Sequence, residues 1–286
     1  LLYDNRFFNN YWWGMDSKMR IILIIFVLIF YSSLSHAAEF KGKFKQGSFI
    51  LGKTKPGSQV IIDQKKIRVS KDGFFAFGLG RDRKNDVVIK IINNGKLEVF
   101  EKKVLKRKYK IQRIDGLPPK QVTPPPEVYE RIKKDNRLIG KARLIDSPLS
   151  FFKNKFIYPI DKYIITGVYG SQRILNGKPR RPHYGIDFHA PEGTPVKAMM
   201  DGIVTLASKD MYFTGGTIIF DHGHGISTLY MHMKDIDVKV GQKIKQGEIV
   251  GTLGQSGRAT GPHLDMRLNW YEVKLDPISI LEKWNF

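Results

Sequence analysis

From Ile164 to the C-terminus, apolar residues come in short runs that are repeatedly cut by glycine. Val240-Gly241, Ile244, Gly247 and Ile249-Val250-Gly251 space the glycines at near-regular intervals. Such runs are too short for helices and read as brief strands joined by tight corners. Thr194-Pro195-Val196-Lys197-Ala198 leads through Asp201-Gly202 into Ile203-Val204, which predicts a hairpin. The expected architecture of this region is therefore a compact, barrel-like antiparallel sheet.

Three polar clusters interrupt that sheet pattern: His183-Tyr184-Gly185-Ile186-Asp187, Leu229-Tyr230-Met231-His232-Met233 and Gly261-Pro262-His263-Leu264-Asp265. Positions four apart share a face of a helix or a strand, so His183 and Asp187 can reach one ion together. Gly185 within that pair and Pro182 before it argue against helix. His263 and Asp265 are two apart and share a strand face, as do Tyr230 and His232. Clusters distant in sequence and each in β-type surroundings are what a fold-assembled metal site requires. A hydrolytic zinc site needs three protein ligands and one open position. Any single His/Asp pair is commonplace on a protein surface; the three clusters together, with no competing nucleophile motif, point to metal chemistry.

The rest of the chain divides by composition. Residues 39–115 alternate short apolar runs (Ser48–Leu51, Gln59–Ile62, Phe74–Phe77, Val87–Ile92, Lys96–Phe100, Tyr109–Ile111) with turns at Lys55-Pro56-Gly57, Lys71-Asp72-Gly73 and Asn93-Asn94-Gly95. That spacing predicts a small β-sandwich-like domain. It contains no histidine, which leaves it a targeting or packing role. Residues 116–150 hold Pro118-Pro119 and Pro124-Pro125-Pro126, a stiff linker, then one charged helix over Glu127 to Leu144. The catalytic-type domain is expected over 151–286. In total, the reading is mainly β.

The chain of 286 residues has no cysteine, so zinc would be held by imidazole and carboxylate, and no lipid-modified cysteine is available. Lys18 and Arg20, the apolar stretch from Ile21 to Tyr31 and Ser35-His36-Ala37 read as a Sec-type signal peptide cleaved near Ala37, on a protein starting at Met15 or Met19. The preceding residues read as an upstream artefact. A stretch this short does not predict a permanent membrane anchor, and the expected location is periplasmic or secreted. The net charge of +21 calls for a polyanionic partner or reflects a lysine-rich composition. Export and the lack of an aromatic-interleaved basic module argue against nucleic acid.

Residues 167–270 resemble the lysostaphin/LytM-type zinc metallopeptidases that cut peptidoglycan cross-links. The likeness rests on Arg181-Pro182-His183-Tyr184-Gly185-Ile186-Asp187-Phe188, on Ala190-Pro191-Glu192-Gly193-Thr194-Pro195-Val196, on Asp221-His222-Gly223-His224-Gly225, on Tyr230-Met231-His232 and on Thr260-Gly261-Pro262-His263-Leu264, in that order. The resemblance implies His183 and Asp187 as zinc ligands, and His232 and His263 as the catalytic pair that activates water and stabilises the oxyanion. His222 and His224 fall outside the ligand motifs and read as structural. Where the family has H-x-H, this chain has His263-Leu264-Asp265, which makes Asp265 the third ligand. Two carboxylates cancel the formal charge of Zn²⁺, whereas one leaves +1. Two functions follow as expectations: an exported endopeptidase acting on peptidoglycan, or a catalytically degenerate regulator of another hydrolase, with cell-wall amidases or division proteins as partners.

Overall fold

The computed structural model describes Asp16 and residues 38–281; the signal-peptide stretch lies outside the described residues. From Ala38 onward the chain forms one compact unit. Its first part is two small antiparallel sheets. β1 (Ala38–Lys41), β2 (Phe49–Thr54) and β5 (Phe74–Gly78) form one, in the order β1-β2-β5. β3 (Gln59–Ile62), β4 (Lys65–Ile67), β6 (Val87–Asn93) and β7 (Lys96–Lys102) form the other, in the order β4-β3-β6-β7. Alternation puts Val87, Ile89 and Ile91 inside. Phe40 of the first sheet meets Phe100 of the second edge-to-face at 5.3 Å, so the sheets close over a shared aromatic core. The β6–β7 hairpin turns at Asn94 and Gly95, whose φ values of 48° and 76° are those of the tight turn that Asn-Gly favours.

The run expected as a strand at Tyr109–Ile111 lies instead at β8 (Ile111–Ile114) and pairs, parallel, with a strand of the C-terminal region, β10 (Gln172–Leu175). After the prolines, helix α1 (Tyr129–Arg143) follows a 3-10 turn at Pro126–Val128. It lays Ala142 and Ile139 on Leu206, Met211, Ile219, Leu229 and Met231. That explains the unbroken burial of residues 215–233 beneath it: the strands there are covered by α1 on one face and by the main core on the other.

The C-terminal region is a ten-stranded antiparallel sheet. Its strands are β9 (Ile164–Gly167), β12 (Ile186–His189), β13 (Pro195–Lys197), β14 (Gly202–Met211), β15 (Gly215–Gly223), β16 (Ile226–Ile236), β17 (Lys243–Ile244), β18 (Ile249–Leu253), β19 (Leu264–Trp270) and β20 (Val273–Leu275). A two-residue strand, β11 (Lys178–Pro179), pairs with β10 outside it. The order β17-β14-β15-β16-β19-β12-β9 leaves the sheet open at both ends among the described strands, so barrel-like holds only loosely. The hairpin expected between Thr194–Ala198 and Ile203-Val204 does not form. β13 pairs with β18, while both edges of β14 are taken by β15 and β17.

β16 is the pivot of the sheet. Ile226–Met231 pair with β19, whereas Met233–Ile236 pair with β18. His232 sits at the change of partner, with φ at 64° and its N–H donated to Thr214 O at 2.9 Å. No helix among the described residues is long and apolar enough to cross a membrane.

Candidate metal centre

Asp187 on β12 stands opposite Asp265 on β19 in the antiparallel register. His183 precedes β12 and is held by two backbone bonds, Gly170 N–H to His183 O at 2.7 Å and His183 N–H to Ser171 O at 2.8 Å. These constraints bring the His183 Nε2 atom to 3.0 Å from Asp187 Oδ1 and 3.4 Å from Asp265 Oδ2. All three side chains are buried. Two glycines make the space: a Cβ on Gly167 would strike the Asp187 carboxylate, and one on Gly185 the Asp265 carboxylate.

Burial opposes charge on Asp265 and on His183, and their neighbours overcome it. Asp265 is desolvated, yet Arg267 and then His183 hold its carboxyl well below the usual range. Arg267 donates from Nη2 to Asp265 Oδ2 at 2.8 Å and from Nε to Oδ1 at 3.2 Å. Arg173 Nη2 lies 3.3 Å from Asp187 Oδ2. Burial pulls His183 down, but Asp265 and Asp187 lift it above the ordinary histidine value. Sequence reading missed Arg267 as a partner, although its place two residues beyond Asp265 puts it on the same strand face.

The donor set fits a metal ion. Ligands about 2.0–2.1 Å from a tetrahedral zinc stand roughly 3.3 Å from one another, close to the two separations above. Neither approach of His183 Nε2 to a carboxylate has hydrogen-bond geometry. His183 Nδ1 and Nε2 and Asp187 Oδ1 are buried without a hydrogen-bond partner among the described residues. Buried polar atoms left this way are costly unless something else satisfies them. His183, Asp187 and Asp265 are also the one trio of potential metal-ligating side chains grouped closely enough among the described residues.

His232 and His263 face each other at the mouth of the same cleft, ring centroids 4.7 Å apart and planes at 49°. The cleft, about 150 Å³, is bounded by both histidines, Asp187, Asp265, Arg173 and Arg258. Gln112, Ile114 and Leu117 bring the segment around β8 to its wall. His232 Nδ1 lies 2.7 Å from Ser256 O and His263 Nδ1 2.8 Å from Gly261 O. A carbonyl can only accept, so Nδ1 carries the proton in each ring and Nε2 is the acceptor in the neutral form. Burial, then the His263 ring, pushes His232 down to about 4. The alternation expected to align Tyr230 with His232 is broken by the left-handed backbone at His232. Tyr230 instead turns into the core, where its hydroxyl donates to Lys197 O at 3.0 Å and accepts from Met199 N–H at 3.0 Å.

His222 and His224 lie away from this cleft. His222 is fully enclosed, with Nδ1 2.7 Å from Asp201 O and Nε2 2.8 Å from Thr228 Oγ1. His224 packs on Phe152 at 4.7 Å. His189 is exposed, its Nδ1 2.8 Å from Pro262 O.

Residues 181–277, which contain every candidate ligand and both cleft histidines, match the model of Peptidase family M23. Over these residues the chain is similar to that family. The chain is 39% identical over 113 residues to the peptidoglycan DD-endopeptidase ShyA of Vibrio cholerae, a stretch covering 39% of this chain and 26% of that protein. It is 38% identical over 102 residues to the DD-carboxypeptidase/endopeptidase Mpg of Neisseria meningitidis, covering 35% and 23%. The chain thus spans about a quarter of the length of these curated relatives. The fold extends beyond the domain. A crystal structure of a putative M23 peptidase from Pseudomonas aeruginosa superposes with a TM-score of 0.65 at 23% identity, covering 85% of this chain and 96% of the other.

Proposed function

We propose that this chain is an exported, zinc-dependent endopeptidase that hydrolyses peptide cross-links of peptidoglycan. The observation that carries the reading is the convergence of His183, Asp187 and Asp265 beside the His232–His263 pair, inside the M23 domain. Zinc on the three ligands would act as a Lewis acid on the scissile carbonyl and lower the pKa of water. The chain's own residues supply the rest. One of His232 and His263 would take the proton of the attacking water at Nε2, since the Nδ1 of each ring is committed to a backbone carbonyl. The other, facing it across the cleft, would stabilise the developing oxyanion. Arg267 and Arg173 orient the two carboxylates, as outer partners of metal ligands do. The leader-like segment ending near Ala37 would take the protein to the periplasm or outside the cell, where its substrate lies.

A second reading, a catalytically degenerate M23 regulator that activates another cell-wall hydrolase, draws support from the same arginines. Each carboxylate has an arginine as a cationic partner. Zymography on purified sacculi with wild type, His183→Ala and Asp265→Ala tests the first reading. A cleared zone for wild type alone is expected; activity surviving both substitutions contradicts it. Wild type with no activity and no stoichiometric zinc would favour the regulator.

A further inference from the structure

The strand next to Asp187 has an open edge. β9 ends the order β17-β14-β15-β16-β19-β12-β9 and pairs with β12 alone among the described strands. Its outer edge therefore offers backbone N–H and C=O groups to a further strand. Charges and prolines usually guard such an edge, yet neither falls within residues 163–168. Ile164 and Ile165 are 66% and 42% exposed, and Thr166 is exposed as well.

Register puts part of this edge on the metal face. Cross-strand partners in an antiparallel sheet project to the same side. Gly167 pairs with Asp187 and Ile164 with His189, and Asp187 and His189 are two apart on β12. The register shifts between these pairs, which leaves Thr166 unpaired on the cleft wall, while Ile165 pairs with buried Phe188 on the opposite face. Outward from Asp187, the metal face thus presents Thr166 and then Ile164 beside His189. His189 Nδ1 lies 2.8 Å from the carbonyl of Pro262, the residue before His263. The cleft holds about 150 Å³, the room of roughly five waters at about 30 Å³ each. A peptide bound across it must continue over neighbouring surface, and the β9 edge is continuous with the cleft wall.

We propose that a segment of the substrate peptide flanking the cleaved bond lies as an added strand along the β9 edge, with one aliphatic side chain resting on Ile164. The inference rests on the peptidase reading and adds what that reading leaves open, namely how the peptide is aligned. Main-chain hydrogen bonds from β9 hold the segment extended and in register with the metal centre, and Ile164 favours an aliphatic over a charged residue at one position. Ile164 then aligns the substrate, while the metal ligands and cleft histidines carry out the reaction.

The test uses the full chain in zinc-containing buffer with a cross-linked muropeptide dimer as substrate. Ile164 is exposed, so Ile164→Lys and Ile164→Val should both fold, which melting temperatures check. Lysine puts a charge on the edge and removes the aliphatic contact. KM should therefore rise about tenfold with kcat held within about twofold, whereas Ile164→Val should match wild type to within about twofold. Two further substrates carry an ester in place of one or the other of two successive amides beside the cleaved bond. A strand directs its N–H groups alternately towards and away from its partner, so one ester should lower kcat/KM about fivefold and the other should not. Calorimetry on the His263→Ala background gives Kd for the same set. Unchanged KM and Kd in Ile164→Lys, or equal effects of the two esters, overturns the added strand and leaves the peptidase standing. So does self-association of wild type that Ile164→Lys abolishes in analytical ultracentrifugation, which gives the edge to a second copy. Weaker binding of substrate by Ile164→Lys, without cleavage by wild type, supports the strand and contradicts the peptidase. No binding of any substrate overturns both.

Discussion

Asp187 and Asp265 are direct cross-strand partners, two carboxylates facing each other in a buried sheet. Like charges so placed destabilise a sheet unless something offsets them. Here Arg173 and Arg267 each pair with one of them and His183 stands between them. The arrangement has the character of a ligand set held ready by second partners, and each part can be removed separately.

Arg267→Met leaves Asp265 buried without its guanidinium. Breaking a buried pair costs about 3–5 kcal/mol. The lower end is expected because Arg267 keeps 26% of its side-chain surface exposed. Urea denaturation with and without zinc measures this, and the prediction is that zinc recovers more stability in the variant than it adds to wild type. An unchanged midpoint in metal-free buffer would show that the pair contributes nothing.

Gly185→Ala and Gly167→Ala test the space around the carboxylates. Each added methyl meets a carboxylate that the packed strands leave little room to move. Overpacking of this kind costs about 1–3 kcal/mol, and zinc affinity should fall together with the melting temperature. Calorimetric zinc titration checks it. Unaltered affinity would mean that Asp187 and Asp265 are not held by these close approaches.

Acid should weaken the fold through a histidine outside the cleft. Burial pushes His222 down to about 4, whereas an unfolded chain takes up that proton near pH 6.5. The unfolded state therefore binds more protons between these values, and stability falls as the pH drops from about 6.5 towards 4. The loss from this one group is on the order of 3 kcal/mol. His224 shifts in the same direction, to about 4, through burial and then Arg68. Denaturation in metal-free buffer at pH 7 and 4.5 should show His222→Gln less stable than wild type at pH 7 but with a smaller acid loss. Equal losses would contradict the assignment.

Much of the fold was legible because its signals are local. Asn94-Gly95 specified a tight hairpin, and the period over Glu127 to Leu144 specified α1. What escaped was partner choice. Nothing within Thr194–Ala198 reveals that β13 is claimed by β18, and nothing within Tyr109–Ile114 reveals a parallel pairing with β10, because both depend on distant strands competing for edges. At the site, the H-x-x-x-D and H-x-D spacings singled out His183, Asp187, His263 and Asp265. The arginines were harder to find, since a basic residue in a chain of net charge +21 carries little information until its neighbour is known.

Asp265→His replaces the second carboxylate with imidazole, which also serves zinc. The ligand set then loses one negative charge, and the acidic limb of the pH–rate profile should move to lower pH. Tight zinc binding by wild type together with no improvement and complete loss of activity in the variant would give Asp265 a role other than ligation.

The proposed function stands or falls with one zinc ion held jointly by His183, Asp187 and Asp265. Metal analysis of freshly purified wild type, followed by calorimetric zinc titration of the stripped protein and of Asp265→Ala, tests it most directly. One zinc per chain is predicted for wild type, with an affinity reduced at least a hundredfold in Asp265→Ala. Wild type free of zinc and unable to take it up, or a variant that binds it as tightly as wild type, would contradict the account.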